Sequence, residues 1–254
     1  MNSYRNLQVT FTLSSEMIIP DHPIGFDALL MKALALQENR SPEQGEDMFS
    51  SLELPIERHQ GSSLYLASVG FTRSEGRNLQ FYTKRYAGDL PEDLDISGGY
   101  FKAYHRIIYT LACPAEVTFY CRGVPSSVRE LTALIPALGA KRSQGYGKVA
   151  SVQVDEIKED RSWIYRNEPM RAIPIRYYED KLQQWYYAFT SPVPPGYAPE
   201  SKEICYLPRP SSWLDISAGS AQEQEEQHAD SIGSASFKKK RSLRKIWSDR
   251  SNEG

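Results

Sequence analysis

The sequence predicts an α+β fold in which two helices cover one face of an antiparallel sheet. Three observations lead there. Strand-like alternation opens the chain and returns through its middle, two helical patterns lie near residues 28–37 and 126–138, and a further strand pattern follows the second helix. Strand, helix, several strands, helix, strand is the order of a ferredoxin-like (RRM-like) βαββαβ core.

The first strand is LQVTFTL, Leu7 to Leu13, where apolar and polar residues alternate and β-branched or aromatic types dominate. After the turn-rich PDHPIG, Asp27 stands where an N-cap belongs. The strong helix formers of ALLMKALALQ predict a helix over Ala28 to Gln37. Asn39 to Gln60, with Pro42, Gly45 and Pro55, reads as loop. SLYLASVGF, NLQFYTKRY, YHRIIYTLA and AEVTFYCRG then read as strands joined by hairpins. The second helix is SSVRELTALIPAL, with Ser126 or Ser127 as N-cap, Val128, Leu131, Leu134, Ile135 and Leu138 on one face, and Gly139 as terminator. VASVQVDEI is the closing strand.

Residues 1–158 therefore form the main domain. Residues 159–214 are too short and proline-laden for a separate core, and are expected to wrap the domain with Trp185, Tyr186, Tyr187, Tyr206 and Trp213 as anchors. From Asp215 to Gly254 the chain turns polar, with acidic EQEEQ before basic KKKRSLRK, and is expected to be disordered alone.

With 40% hydrophobic and 24% charged residues, the 254-residue chain has the composition of a soluble globular protein. Its longest apolar stretch, Ala28 to Leu36, is interrupted by Lys32 and is far shorter than the roughly 20 residues of a membrane span. The amino terminus lacks a secretory pattern, so the expected compartment is cytoplasmic. Cys113, Cys121 and Cys205 contain no C-x-x-C pair and read as buried thiols, neither disulfides nor zinc ligands. No cofactor is indicated.

The densest chemical signal is GAKRSQGYGKV, Gly139 to Val149, between a helix end and a strand. Gly139, Gly145 and Gly147 permit positive φ and close backbone approach, so several N–H groups can face one anion. Lys141, Arg142 and Lys148 add charge, Ser143 and Gln144 add neutral hydrogen bonds, and Tyr146 offers a ring for stacking. The pattern is not a P-loop. Val149 follows Lys148 where Ser or Thr is required, and the order is helix, loop, strand, the reverse of what places a helix N-terminus on phosphate. The net charge of −2 means that any phosphate contact rests on local concentration of cations rather than on overall charge. The stacking signature of ordinary RNA-recognition motifs is absent from the central strands, which leaves recognition to the loop and an associated hairpin.

Taken in order, the opening strand with HPIGFDALL, the strand VTFYCRG before the second helix, the GAKRSQGYGKV loop and the late ICYLP resemble the RAMP superfamily of CRISPR-associated RNA-binding proteins. Within it the sequence is similar to the type IV subunit of the Cas five group, over roughly Leu7 to Pro210. The resemblance implies a subunit that binds the 5′ handle of the guide RNA (crRNA) in a type IV, Cascade-like effector ribonucleoprotein for antiviral or anti-plasmid defence. Its implied partners are guide RNA, a backbone subunit and a large subunit, with target DNA met only indirectly and no membrane. Gly139, Lys141 to Gly147 and Lys148 inherit the RNA contact. A projecting hairpin, or thumb, is placed by position at Arg73 to Tyr104, with Arg73, Arg77, Lys84, Arg85 and Lys102 as phosphate contacts.

The expected role is binding without catalysis. Some relatives cleave the repeat by general acid–base chemistry, for which histidine is suited. His22, His59 and His228 are scattered, which leaves His105, beside Tyr104, Arg106 and Lys102, as the candidate for the alternative, a metal-independent guide-processing ribonuclease. Asp89, Glu92, Asp93 and Asp95 lack calcium-loop spacing, and no metal site is expected.

Overall fold

A computed structural model describes residues 3–38, 52–84, 104–178, 184–194 and 201–216. The described residues lie within one compact unit, Met1–Ile216, and Ser217–Gly254 is outside the described residues. Most of the sequence-assigned tail, with His228 and KKKRSLRK, falls there.

The main sheet contains β1 (Arg5–Leu13), β3 (Phe71–Ser74), β6 (Ala115–Gly123), β7 (Val149–Glu156) and β13 (Leu214–Ile216), in the order β13-β3-β6-β1-β7. β1 lies between β6 and β7 and is antiparallel to both, from Arg5↔Gly123 to Leu13↔Ala115 on one side and from Leu7↔Glu156 on the other. β13 pairs parallel with β3, Asp215 opposite Arg73, so Asp215 and Ile216 belong to the sheet and not to the tail. Two helices, α1 (Phe26–Gln37) and α2 (Pro125–Ala133), supply apolar faces to the core. The result is a mixed α+β fold of several antiparallel sheets and few short helices, consistent with a ferredoxin-like arrangement.

Alternation along the strands decides what is covered. Leu7, Val9, Phe11 and Leu13 of β1 and Val117, Phe119 and Cys121 of β6 are buried, while the residues between them are half-buried or exposed. Phe119 stacks on Phe26 of α1 at 5.0 Å and meets Phe11 edge-on at 5.7 Å.

The helix boundaries differ from expectation. α1 begins at Phe26 with Gly25 as N-cap, and Asp27 lies inside the helix, buried and paired with Arg171 at 3.0 Å. α2 is capped by Val124, with Pro125 in the first turn, where its missing N–H costs nothing. It ends at Ala133 and not near Leu138, because Pro136 drives Ile135 away from helical geometry. Of SLYLASVGF, only Phe71 enters a named strand; Tyr65, Ala67 and Val69 make isolated bridges.

A separate three-stranded sheet has the order β2-β5-β4, built from β2 (Met17–Ile18), β4 (Arg77–Lys84) and β5 (Tyr104–Leu111). β4 and β5 pair from Arg77↔Leu111 to Lys84↔Tyr104. The hairpin thus starts at Arg77, and Arg73 lies in the main sheet instead. The connecting segment, with Arg85, Lys102 and the acidic Asp89, Glu92, Asp93 and Asp95, is outside the described residues.

The C-terminal segment contains the β8 (Ile164–Tyr165)/β9 (Glu168–Pro169) hairpin and a small sheet of β10 (Ile173–Pro174), β12 (Glu203–Tyr206) and β11 (Tyr187–Thr190). A single helical turn, α3 (Pro210–Trp213), precedes β13. Trp185, Tyr206 and Trp213 are buried, whereas Tyr186 and Tyr187 are exposed. Arg171 fastens the segment to the domain. It donates to the Tyr65, Ala67 and Pro192 carbonyls and to Asp27, and with the Arg171 side chain only 5% exposed, a buried charge is both paired and hydrogen-bonded. Cys121 and Cys205 are buried, and burial pushes the Cys205 thiol up to about 12. Cys113 is exposed, contrary to the sequence reading. No helix among the described residues is long and apolar enough to cross a membrane.

Candidate nucleic-acid interface

The glycine-rich loop is a compact folded element. Lys141 has φ 54°, Arg142–Gln144 forms one 3₁₀ turn, and Gly145 and Gly147 have φ 91° and 66°. The loop with these positive angles joins the end of α2 to Val149, the first residue of β7. Gly147 is required for a second reason: a Cβ there would sit 1.9 Å from the Leu138 carbonyl oxygen. Its backbone is held on both sides, with the Leu138 N–H donating to Gly147 O and the Gly147 N–H to Glu16 O, each at 2.8 Å. The Ser15 hydroxyl donates to Gly145 O at 2.7 Å and accepts from the Lys148 N–H at 2.8 Å. The Gln144 and Gly145 N–H groups donate within the 3₁₀ turn, to Lys141 O and Arg142 O, so four loop amides are committed within the protein and anion contact falls chiefly to the side chains.

The loop lies against the β4–β5 hairpin. Tyr146 donates its hydroxyl to Gln80 Oε1 at 2.7 Å, Gln144 Nε2 donates to the Tyr82 hydroxyl at 3.1 Å, and Lys141 Nζ sits 3.4 Å from the Tyr82 ring centroid. Tyr146 is half-buried and tied down, which reduces its role as a stacking ring. Glu16 joins the two elements: its carboxylate accepts from Asn78, Gln80 and Thr110 on the hairpin, while its carbonyl accepts from Gly147. Three neutral donors on one carboxylate are a strong local bolt.

Two neighbouring groups show the field of the cations. The Tyr82 phenol is held below its ordinary pKa first by the Gln144 hydrogen bond, then by Lys141, with Lys84 contributing. The Lys32 ammonium of α1 is lowered by partial burial and then by Arg142. Lys141 and Lys84 thus act on Tyr82 of the hairpin, and Arg142 acts on Lys32 of α1. Lys32, Gln80, Tyr82 and Glu16 are members that sequence reasoning missed. The available signal was alternation in NLQFYTK, which puts Gln80 and Tyr82 on one face of a strand.

The remaining predicted residues are placed differently. Arg142, Ser143, Gln144 and Lys148 are exposed on the loop, and Gly139 leads into it. Arg77 lies over Tyr109, 4.9 Å from the ring centroid. Arg73 is opposite Glu116 and Asp215 in the register of the main sheet and does not join the loop. His105 bonds Thr83 Oγ1 through Nδ1 at 2.5 Å and stacks with Phe81 at 5.7 Å. Phe81 and Thr83 alternate with Gln80 and Tyr82, so His105 occupies the hairpin face turned from the loop. Among the described residues there is no His/Cys/Asp/Glu group able to hold a metal ion.

Residues 80–197 match the sequence model of the family "CRISPR type IV associated protein Csf3". The match takes in most of the hairpin, the second helix, the glycine loop and β7, and over that stretch the chain is similar to a type IV CRISPR-associated protein. No curated protein matches. Among solved structures, a chain in the cryo-EM structure of the type III-B Cmr-beta bound to cognate target RNA aligns at 14% identity and a TM-score of 0.38. The alignment covers 61% of this chain and 61% of that one, less than two thirds of its length.

Proposed function

We propose that this chain binds the 5′ handle of a CRISPR guide RNA as a non-catalytic subunit of a type IV effector complex, together with backbone and large subunits, meeting target DNA only through the guide. In this reading β1, α1, β3, β6, α2 and β7 are the ferredoxin-like core, and the β4–β5 hairpin inserted between β3 and β6 is the thumb. The observation that carries the proposal is the loop docked on the hairpin, which sets Lys141 over the Tyr82 ring, with Lys84 acting on the same phenol, while Arg142 and Lys148 remain exposed on the loop. Such a cluster suits a bent phosphate backbone despite the net charge of −2. The match over residues 80–197 supports the type IV assignment because it spans this same region.

The alternative, repeat cleavage by His105, is disfavoured by the position of that side chain on the opposite hairpin face, stacked on Phe81. Purified protein incubated with labelled repeat RNA is expected to shift it without cutting it, and His105→Ala is expected to change neither result. Replacing Lys141, Arg142 and Lys148 together by alanine should weaken binding. It should also flatten the slope of log K against log salt by up to about 2, at about 0.7 for each single-strand phosphate that is no longer neutralised. Unchanged affinity and slope in a folded triple variant would remove the loop from the RNA site. Cleavage abolished by His105→Ala would establish the ribonuclease instead.

A further inference from the structure

α1 and α2 supply apolar residues to the core from one side of the main sheet, and the strand residues of opposite parity form the other face. That face carries Gln8 and Thr10 on β1, Phe71 on β3, and Thr118 and Tyr120 on β6, all half-buried. The Thr10 and Thr118 hydroxyls lie 3.3 Å apart, and the Phe71 and Tyr120 rings are tilted at 6.0 Å between centroids. The aromatic row continues beyond the strands. The Arg161 guanidinium is 5.6 Å from the Tyr120 centroid and 4.5 Å from that of Tyr165, and Arg166 is 5.2 Å from Tyr165. Rings and guanidinium groups thus alternate from Tyr120 on β6 to the β8–β9 hairpin.

The backbone is constrained to build this row. Arg166 and Asn167 are the two residues linking β8 to β9, with φ 51° and 61°. A two-residue turn with both angles positive ordinarily takes Asn, Asp or Gly, and an arginine there departs from local preference. Local strain kept in this way points to use of the side chain. Arg161 pairs with Glu159 at 2.9 Å, and that carboxylate is 59% exposed, so the contact is readily exchanged for a phosphate.

We propose that this sheet face, from Phe71 through Tyr120 and Arg161 to Tyr165 and Arg166, is a second contact for single-stranded RNA, in which unpaired bases stack on the rings and the two arginines meet phosphates. The proposal rests on the RNA-binding reading above but assigns a surface distinct from the glycine loop. Stacking suits a face that is polar between its rings, since every base has a π surface while its edges find Gln8, Thr10 and Thr118. Tyr, Phe and Arg also serve protein interfaces, so a protein partner is an outcome that the test below separates. The exposed aliphatic residues among those described lie elsewhere: Leu36 on α1, Leu134 at the end of α2, Leu79 and Ile107 on the hairpin, and Ile204 on the β11–β12 sheet.

The test uses the full chain, a labelled single-stranded oligouridine, and a duplex RNA of equal length as competitor. Tyr120→Leu with Tyr165→Leu keeps apolar bulk and should weaken single-strand binding roughly tenfold or more, with little change in salt slope. Arg161→Gln with Arg166→Gln, the first half-buried and the second exposed, should reduce that slope by up to about 1.4. Duplex should compete poorly, because its bases are already stacked. If both double variants bind single strands as the wild type does while the loop triple variant does not, the sheet-face contact is refuted and the loop reading stands. If variants of both regions bind normally, RNA binding at either surface is refuted. Loss of association with the other subunits at unchanged RNA affinity would make this face a protein interface and overturn the proposal.

Discussion

Gly145 and Gly147 stand two residues apart in the same loop and share positive φ, yet their surroundings predict different costs for the same substitution. A Cβ on Gly145 meets nothing within 4 Å, so Gly145→Ala costs only the left-handed backbone, about 1–2 kcal/mol. Gly147→Ala carries the same cost and also drives the new methyl against Leu138 O at 1.9 Å, so the strands of the turn must separate. Separation breaks the Leu138 N–H to Gly147 O and Gly147 N–H to Glu16 O bonds, each about 0.5–1.5 kcal/mol net, for a total near 2–5 kcal/mol. At roughly 2–4 °C per kcal/mol for a chain of this size, the expected fall in Tm is about 2–8 °C for Gly145→Ala and about 4–20 °C for Gly147→Ala. Thermal unfolding followed by far-UV circular dichroism measures both. Equal shifts, or a larger loss in Gly145→Ala, would refute the argument that close approach to Leu138, and not φ alone, fixes glycine at position 147.

Two further perturbations address charge. Arg171→Met strands the Asp27 carboxylate in the core and should cost about 3–5 kcal/mol in urea denaturation. Adding Asp27→Asn should return part of that loss, and no recovery would mean that the guanidinium acts through its carbonyl contacts rather than the ion pair. Arg142→Ala should raise the Lys32 pKa part way, because burial, the larger cause, remains. NMR titration of the Lys32 Nζ reads this directly, and an unmoved value would place Arg142 away from α1. The linked stability has a definite sign. A lysine with a lowered folded pKa is protonated more readily in the unfolded chain, so stability rises with pH between that folded value and about 10.5, and the rise should be smaller in Arg142→Ala.

Local chemistry made the strands β1, β6 and β7 and the glycine loop legible, because alternation and glycine placement are properties of neighbours in sequence. The errors share a physical origin. Asp27 has the composition of an N-cap, but its partner is Arg171, too far along the chain for any local pattern to announce. Ile135 and Leu138 continue the helical period of α2 because both still face the core after the helix has ended at Ala133. Glu16 reads as an ordinary loop carboxylate until the hairpin brings Asn78, Gln80 and Thr110 to it. Lys32 lies in an apolar helix pattern, and only tertiary packing brings it within the field of Arg142.

The ion pair between Asp27 and Arg171 also has a consequence in time. Its partners are 144 residues apart, so at a synthesis rate of about 5–20 residues per second Asp27 leaves the ribosome roughly 7–30 s before the arginine. Throughout that interval α1 carries, on the side destined for the interior, a carboxylate whose counter-charge does not yet exist. Solvent must keep access to that site, so the amino-terminal half stays open on this side until the carboxyl-terminal segment arrives. The order in which the chain is made thereby sets the order in which its interior closes.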